Sequence, residues 1–518
     1  LKLNRSKTEG IWLGKHKHCK EKYENINFTN KPVKCLGVFF GCNKNDCQKL
    51  NAEKQLEKSE KIIKNWEKRN LTLLGKITVI KSLILPNITF LASVSHIEKE
   101  YIDKFKKIVF QFLWKSKTEK VKRNVLSYEL LDGGLKMIDI DKYIESLKIG
   151  WIKRLIYGDF ANWKVIPLFY FNKFGKNFLI FHMNIDGIHS IPGLNKLPEF
   201  YLNVVKAWVK NKKIEQPENF RTIRQQVIWG NQFIKIKKKS LIFQNWINSK
   251  IIYVNDIIDE NGNISEKYIL QKLNIKCNWL SEFSQLKKAL PKEWINILRQ
   301  ENSKKTQVKT DYVLFIKRNC NYTETLDKLE TKKIYNTFIQ NEIQIPVGFN
   351  RWKTVLNIEY IKSSACNILK FVHHYLKENK YKVFRWKLLH FILPCKTLLK
   401  QWNICNISNC NYCNTTEDYD HMFLKCHFLD DFFSKINNLF GKLNIDNNIL
   451  TLKNLVFGYK INDEQYYEIN YLITLIMFCI YKANYMSEQK TEAINVYSVF
   501  NAEFMYSYKL QAKCKTTQ

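Results

Sequence analysis

Apolar residues recur at intervals of three and four over most of this chain, which is the spacing of one face of an α-helix. Short, partly β-branched runs bounded by Gly, Asn and Pro predict strands at Ile11–Leu13 and Val33–Phe40. The intervals predict helices over residues 48–66, 73–84, 101–114, 143–157, 427–443 and 464–482. We expect Pro86 to stop the second of these helices. The fold class is therefore predicted to be predominantly α, with a small β remnant at the N-terminus.

Changes in this pattern divide the chain into four ranges. Residues 1–48 hold the predicted strands, and residues 49–130 form a compact helical region with a basic face. Residues 131–345 open at a Gly-Gly pair and read as a mostly helical connecting region, in which the polar stretches 211–219 and 301–310 are expected to be linkers. Residues 346–518 form the last range.

Composition adds a partner class to this picture. The 518 residues are 45% hydrophobic, and Lys and Arg outnumber Asp and Glu by 84 to 48, a formal net charge of +36 that favours nucleic acid as partner. The abundance of Lys, Asn and Ile is also typical of A/T-rich coding, an alternative source of part of that charge. We see no run of about 18 apolar residues and no signal peptide, so no membrane partner is expected. Fourteen cysteines without dense pairing suit an intracellular chain, in the nucleus or cytoplasm, that is not secreted.

One cysteine and histidine cluster has metal-ligand spacing. Cys410, Cys413, His421 and Cys426 form the pattern C-x2-C-x7-H-x4-C. Thiolates and imidazole are the donors that Zn²⁺ prefers, and a complete set of four protein ligands indicates structural rather than catalytic zinc. Two alternatives stay open: Cys405 could replace Cys410, or the cysteines could be ordinary buried thiols beside a chance histidine.

Two groups of basic residues are candidates for contact with phosphate. One group follows the outward face and end of the helix predicted over 101–114, and it comprises Lys104, Lys107, Lys115 and Lys117. The other group alternates with aromatic residues, as a surface for phosphates and stacked bases would, and it comprises Lys382, Arg385 and Lys387. The alternative for the second group is a helix pair packed on its aromatic side.

Six short motifs follow one another along the chain. They are Leu1–Thr8, Lys34–Val38, Leu71–Ile77, Phe110–Trp114, Gly133–Leu135 with Asp139 and Tyr143, and Phe384–His390 followed by the Cys/His cluster. Their sequences and order resemble the reverse transcriptases of LINE-type (non-LTR) retrotransposons. Cys35 stands where that family usually has Tyr.

The resemblance implies the C-terminal part of an RNA-directed DNA polymerase. Residues 1–48 would be the end of the palm with the primer-grip hairpin, 49–130 the helical thumb, 131–345 the connecting region and 346–518 the zinc-binding C-terminal domain. RNA template and DNA primer or target are the implied partners. The family's Mg²⁺-binding carboxylates lie upstream of the Leu1–Thr8 motif, so we expect a fragment that is inactive alone and is completed by N-terminal fingers and palm of the same polyprotein.

The resemblance also implies roles for residues near the N-terminus. Lys7 matches the lysine proposed to protonate the leaving pyrophosphate, although an ordinary surface lysine is an equal interpretation. Cys35, Leu36 and Gly37 would lie near the primer terminus. The alternative function is a non-catalytic, zinc-containing nucleic-acid-binding module from a decayed or repurposed element copy. No nucleophile with a nearby base and no Gly-rich phosphate loop supports an unrelated enzyme class.

Overall fold

The computed structural model describes most of the chain. The described residues are 4, 8–19, 26–115, 118–185, 187–212, 216–259, 261–273, 279–300, 314, 316, 325–359, 361–490 and 493–516. They are predominantly helical, which confirms the predicted fold class. Lys7, Lys117 and the linker predicted over 301–310 fall outside this set, as do most of the motif at Leu1–Thr8 and residues 213–215 of the linker predicted over 211–219.

Strands among the described residues are short and form two-stranded pairs. In chain order, the pairs are β1 (Glu9–Gly10) parallel to β2 (Asn27–Phe28), β3 (Val33–Cys35) antiparallel to β4 (Val38–Phe40), and β5 (Lys235–Ile236) antiparallel to β6 (Lys239–Ser240). The strand predicted at Ile11–Leu13 is wrong, because pairing ends at Gly10. Trp12 stacks on Phe28 at a centroid distance of 4.8 Å, so its apolar character serves side-chain packing rather than a ladder.

Helices account for most of the remaining structure. In chain order they are α1 (Lys44–Glu67), α2 (Leu73–Val79), α3 (Leu85–Val94), α4 (Lys99–Trp114), α5 (Arg123–Ser127), α6 (Ile140–Tyr157), α7 (Val165–Phe171), α8 (Leu179–His182), α9 (Glu199–Asn211), α10 (Phe220–Arg224), α11 (Gln244–Asn248), α12 (Glu266–Lys272), α13 (Trp279–Ala289), α14 (Lys292–Gln300), α15 (Thr331–Gln340), α16 (Val347–Leu356), α17 (Ile361–Lys370), α18 (Asn379–Leu389), α19 (Lys396–Gln401), α20 (Asp430–Lys442), α21 (Leu452–Phe457), α22 (Tyr467–Lys490) and α23 (Val496–Thr516). π-helical turns occur at Ile80–Ile84, Phe371–Tyr375 and His421–Lys425.

The prediction that Pro86 stops a helix is wrong. The π turn at Ile80–Ile84 joins α2 directly to α3, and Pro86 is the second residue of α3. Proline costs little in the first turn of a helix because the missing N–H has no intrahelical partner there. The resulting stretch Leu73–Val94 is long and apolar enough to cross a membrane by length and composition, a test that buried core helices also pass; 44% of its most apolar window is buried.

The chain forms two compact units that are interleaved along the sequence. The first unit comprises residues 1–59, 85–106 and 140–341, and the second comprises residues 60–84, 107–139 and 342–518. In the first unit α6 packs against α9 and α15, over a core that includes Trp208, Trp229 and Trp246. In the second unit α22 packs against α18 and α23, over a core that includes Trp352 and Phe423. The four consecutive ranges inferred from the sequence remain a prediction.

Buried cations close the C-terminal ends of several helices. Lys76 donates hydrogen bonds to the carbonyls of Phe112 and Leu113, both at 2.9 Å, near the end of α4. Lys148 donates to the carbonyls of Ala92 at 2.6 Å and Ser95 at 2.9 Å, at the end of α3. The last carbonyls of a helix lack intrahelical donors and carry partial negative charge, so an ammonium satisfies both needs. Some of the lysine side chains that raise the formal net charge therefore lie inside the protein.

Candidate metal centre and nucleic-acid interface

A tight hairpin carries the first two predicted metal ligands. The Cys410 N–H donates to the Thr415 carbonyl at 2.8 Å, and an isolated bridge pairs Asn409 with Thr416. Asn414 closes the turn with a φ of 57°, a left-handed conformation that asparagine tolerates better than most residues. This hairpin directs the Cys410 and Cys413 thiols to the same point.

A π-helical turn carries the other two ligands. The Asp418 carboxylate accepts a 2.8 Å hydrogen bond from the His421 N–H at the start of this turn, and Cys426 follows its last residue. Met422 and Phe423 between them are buried in the second unit's core. The core therefore anchors the turn whose two ends present His421 and Cys426.

The four side chains meet in a geometry that suits zinc. Their ligand atoms all lie within 4.8 Å of one another. The Cys426 sulfur is 3.8 Å from that of Cys410 and 3.9 Å from that of Cys413, and His421 Nε2 is 3.2 Å from the Cys413 sulfur. A tetrahedral Zn²⁺ with Zn–S bonds of ~2.3 Å places two sulfurs about 3.8 Å apart. The donor set and its spacing thus fit one Zn²⁺ with no open position.

Burial shifts the pKa values of the ligands in opposite directions for thiol and imidazole. Burial raises the pKa of the Cys410 thiol and raises that of Cys426 to about 12. Burial lowers the pKa of His421, which keeps its imidazole neutral and able to coordinate. A bound Zn²⁺ would supply the positive charge that converts the buried thiols to thiolates.

A second layer of side chains orients these ligands. Thr415 Oγ1 lies 3.1 Å from His421 Nδ1 and 3.0 Å from the Cys413 sulfur. If Nδ1–H donates to Thr415, Nε2 is left with its lone pair directed at the metal, the usual arrangement for a ligating histidine. Tyr412 stacks on Phe428 at a centroid distance of 4.1 Å, which ties the hairpin to the segment after Cys426.

The alternative ligand does not join the cluster. The Cys405 thiol contacts the carbonyl of Ile407 at 3.2 Å and that of Lys396 at 3.8 Å, while Cys410 is buried in the group of four. Within the part of the chain that the structure describes, the cluster contains Cys410 and not Cys405.

The basic residues of α4 remain accessible. Lys104 and Lys107 are exposed, and Lys104 forms a 2.6 Å ion pair with Glu100 one turn earlier. Lys115 is exposed just after the helix ends. Burial, with Lys115 and Lys387, lowers the pKa of Lys76 to about 8. One predicted residue of each basic group therefore acts electrostatically on Lys76.

Arg385 corrects the prediction for the second basic group. Its side chain is 1% exposed and donates to the carbonyls of Leu455 and Val456 at the end of α21. Burial argues against the predicted contact of Arg385 with nucleic acid, because its two terminal nitrogens donate to helix carbonyls inside the core. Lys382 and Lys387 are only half-buried, and burial lowers the pKa of both.

The hairpin at Cys35 has the exposed tip that a contact with nucleic acid requires. Leu36 and Gly37 form its two-residue turn with φ of 48° and 91°, and Leu36 is 87% exposed. Asn51 of α1 fixes the hairpin by donating to the Phe39 carbonyl and accepting from the Phe39 N–H at 2.7 Å. Cys35 and Gly37 are exposed as well.

Motifs that are far apart in sequence meet in the second unit. The Gly133 carbonyl accepts from Trp386 Nε1 at 2.9 Å and lies 2.7 Å from His390 Nε2. Gly134 packs so closely on Tyr128 that an added Cβ would lie 2.0 Å from the Tyr128 carbonyl oxygen. The motif at Gly133–Leu135 thus anchors the motif at 384–390. In the same way, Lys76 of the motif at Leu71–Ile77 donates to the Phe112 carbonyl of the motif at Phe110–Trp114. Sequence reasoning missed these anchoring roles, and the Gly-Gly pair indicated only an unusual backbone geometry at this point.

Comparisons with known proteins agree with this site. Residues 330–432, which include all four cluster residues, match the family described as zinc-binding in reverse transcriptase. The chain is 21% identical over 272 residues to the Transposon TX1 uncharacterized 149 kDa protein of Xenopus laevis. That match covers 50% of this chain and 20% of the Xenopus protein, so it spans about a fifth of the relative's length.

Residues 330–432 are thus similar to the zinc-binding region of reverse transcriptases, and half of the chain is similar to part of a transposon protein. Together with the order of the chain's motifs, these similarities confirm the resemblance to the C-terminal region of non-LTR retrotransposon reverse transcriptases.

Proposed function

We propose that this chain is the C-terminal part of an RNA-directed DNA polymerase of a non-LTR retrotransposon, and that it binds template RNA and primer or target DNA. The observation that carries the proposal is the group of four cluster residues, assembled inside the range that matches the reverse-transcriptase zinc-binding family. The cluster follows the upstream motifs in the same order as in the polymerase family.

In this proposal Zn²⁺ is structural. Cys410, Cys413, His421 and Cys426 would hold it, and it would contribute folding free energy on the order of 10 kcal/mol. The ion would join the hairpin to the π-helical turn, which in turn is packed in the second unit's core. Zinc binding requires the three cysteines to be reduced, and thiols stay reduced in intracellular compartments. This supports a location in the nucleus or cytoplasm.

The polymerase chemistry would use Mg²⁺ ions held by carboxylates outside this chain. Among the described residues, the Cys/His cluster is the group in which at least three His, Cys, Asp or Glu side chains come close enough to hold a metal ion. Asp430 and Asp431 are exposed on α20, and Asp431 forms a 2.8 Å ion pair with Lys435. These two carboxylates therefore belong to a solvated helix face rather than to a metal site. We therefore expect the chain alone to bind nucleic acid without polymerising.

The test combines metal content with nucleic-acid binding and primer extension. The purified full chain is expected to hold one zinc per molecule, and Cys413→Ser and His421→Ala are expected to lose it. Affinity for an RNA–DNA hybrid should fall steeply as salt rises. Zinc without nucleic-acid binding would contradict the proposed function, and nucleotide incorporation by this chain alone would contradict the placement of the carboxylates.

A further inference from the structure

A groove in the second unit has a lining that includes none of the four zinc ligands and none of the described basic residues predicted above. Its volume is 740 Å³, within the ~300–1,000 Å³ range of sites that hold small organic ligands. It is lined by three segments: residues 118–125, the start of α16, and residues 390–404.

The rim of this groove is positively charged. Lys120, Lys122 and Arg351 line it, together with a single acid, Glu119. The Glu119 carboxylate accepts two 2.9 Å hydrogen bonds from Arg123 Nε, so its charge is already paired. The groove therefore offers a net positive field to an anionic ligand.

Aromatic side chains stand beside these cations. The Lys120 ammonium lies 4.0 Å from the centroid of the Trp402 ring, and the Arg351 guanidinium lies 5.6 Å from that of Phe391. Ile404, at the same edge, is 61% exposed. A ring covered by a lysine ammonium can serve as a stacking platform, because a lysine side chain is long enough to turn from the ring to a phosphate while a base takes its place.

We propose that this groove binds an unpaired nucleotide of single-stranded RNA or DNA, with the base stacked on Trp402 and the flanking phosphates paired with Lys120, Lys122 and Arg351. The inference rests on the proposed function, because it names the kind of strand that this nucleic-acid-binding chain would hold in the groove. A duplex has no free base face to stack, so the groove would distinguish single strands from hybrids and duplexes.

The test measures fluorescence anisotropy of labelled oligouridylate, oligothymidylate and an RNA–DNA hybrid with the full chain. Trp402→Ala is expected to weaken both single strands by roughly five- to a hundredfold, the range found for loss of one stacked base, and to leave the hybrid unchanged. Trp402→Phe should retain most of the affinity. Trp163→Ala is the matched control, because Trp163 is 43% exposed but belongs to the first unit.

The charges are tested separately by alanine at Lys120, Lys122 and Arg351. This triple variant should lower the slope of log affinity against log salt by about 0.7 for each phosphate that is no longer neutralised, whereas alanine at the exposed Lys237, Lys238 and Lys239 should not weaken the preference for single strands. Zinc content and circular dichroism establish that each variant is folded.

Each outcome separates the two proposals. Unchanged single-strand affinity in Trp402→Ala and in the triple variant, from a chain that binds nucleic acid, overturns the groove assignment and leaves the groove to a protein or peptide partner. A wild-type chain that binds neither single strands nor hybrid overturns the proposed function and the groove assignment together.

Discussion

The number of protons released on zinc binding should follow from the protonation states of the three thiols and the histidine. Three thiols must lose their protons to coordinate, and burial raises the pKa of two of them, Cys410 and Cys426, above the ordinary thiol value. Burial acts to raise the pKa of Cys413, but hydrogen bonds with Thr415, Cys410 and Cys426 together lower it. His421 is neutral near pH 7 and has no proton to lose from its ligating nitrogen.

We therefore expect between two and three protons to be released per zinc near neutral pH. The logarithm of the apparent zinc affinity should rise by roughly two to three per pH unit between about pH 6.5 and 7.5. At 1.36 kcal/mol for each proton and pH unit, this is about 3–4 kcal/mol of binding free energy per pH unit. Higher pH favours zinc because the thiolate is the form that binds.

The assay is competition with a chromophoric chelator across this pH range, with calorimetry in buffers of different ionisation enthalpy as an independent proton count. Cys413→Ser should weaken binding and reduce the slope by up to one. His421→Ala should weaken binding with little change in slope. Cys405→Ser should change neither, because that thiol lies on backbone carbonyls. A slope of one or less, or a strong effect of Cys405→Ser, would refute the Cys3His ligand set.

Three further predictions concern stability. Burial lowers the pKa of Lys148 to about 7, so wild-type stability should rise relative to Lys148→Met by about 1.4 kcal/mol per pH unit from pH 7 toward pH 10, measured by urea unfolding; a constant difference would contradict this. Gly134→Ala should prevent normal folding of the second unit, because the new Cβ would lie 2.0 Å from the Tyr128 carbonyl oxygen. At the control position, the Cβ of Gly441→Ala meets no atom within 4 Å, and this variant should stabilise the fold by about 0.5–1 kcal/mol in thermal unfolding. Trp386→Phe should cost about 1 kcal/mol because it removes the hydrogen bond to Gly133, and an unchanged unfolding midpoint would argue against that anchor.

Helix positions and the metal cluster were predictable because local spacing determines them. The apolar interval that predicts a helix over 101–114 corresponds to α4 at Lys99–Trp114, and the interval over 143–157 corresponds to α6 at Ile140–Tyr157. The four cluster residues lie within seventeen positions, so two local turns suffice to bring them together.

Features that depend on distant partners were not predictable in the same way. Arg385 alternates with aromatic residues as a surface residue would, but α21, about seventy positions later, provides the carbonyls that bury it. The continuation of the helix past Pro86 depends on a π turn, for which the apolar interval has no signature. The groove at Trp402 joins three separated segments, so no single stretch indicated it.

The discontinuous makeup of the second unit limits how the protein can be truncated. A fragment starting at residue 346 would retain all four metal ligands but would lose Gly133, the acceptor shared by Trp386 and His390. Two buried donors would then lack a partner, at a cost of about 1–3 kcal/mol each. Such a fragment could misfold for reasons unrelated to zinc. By the same reasoning, an in-frame deletion around residue 133 would damage the metal-binding region without altering any ligand.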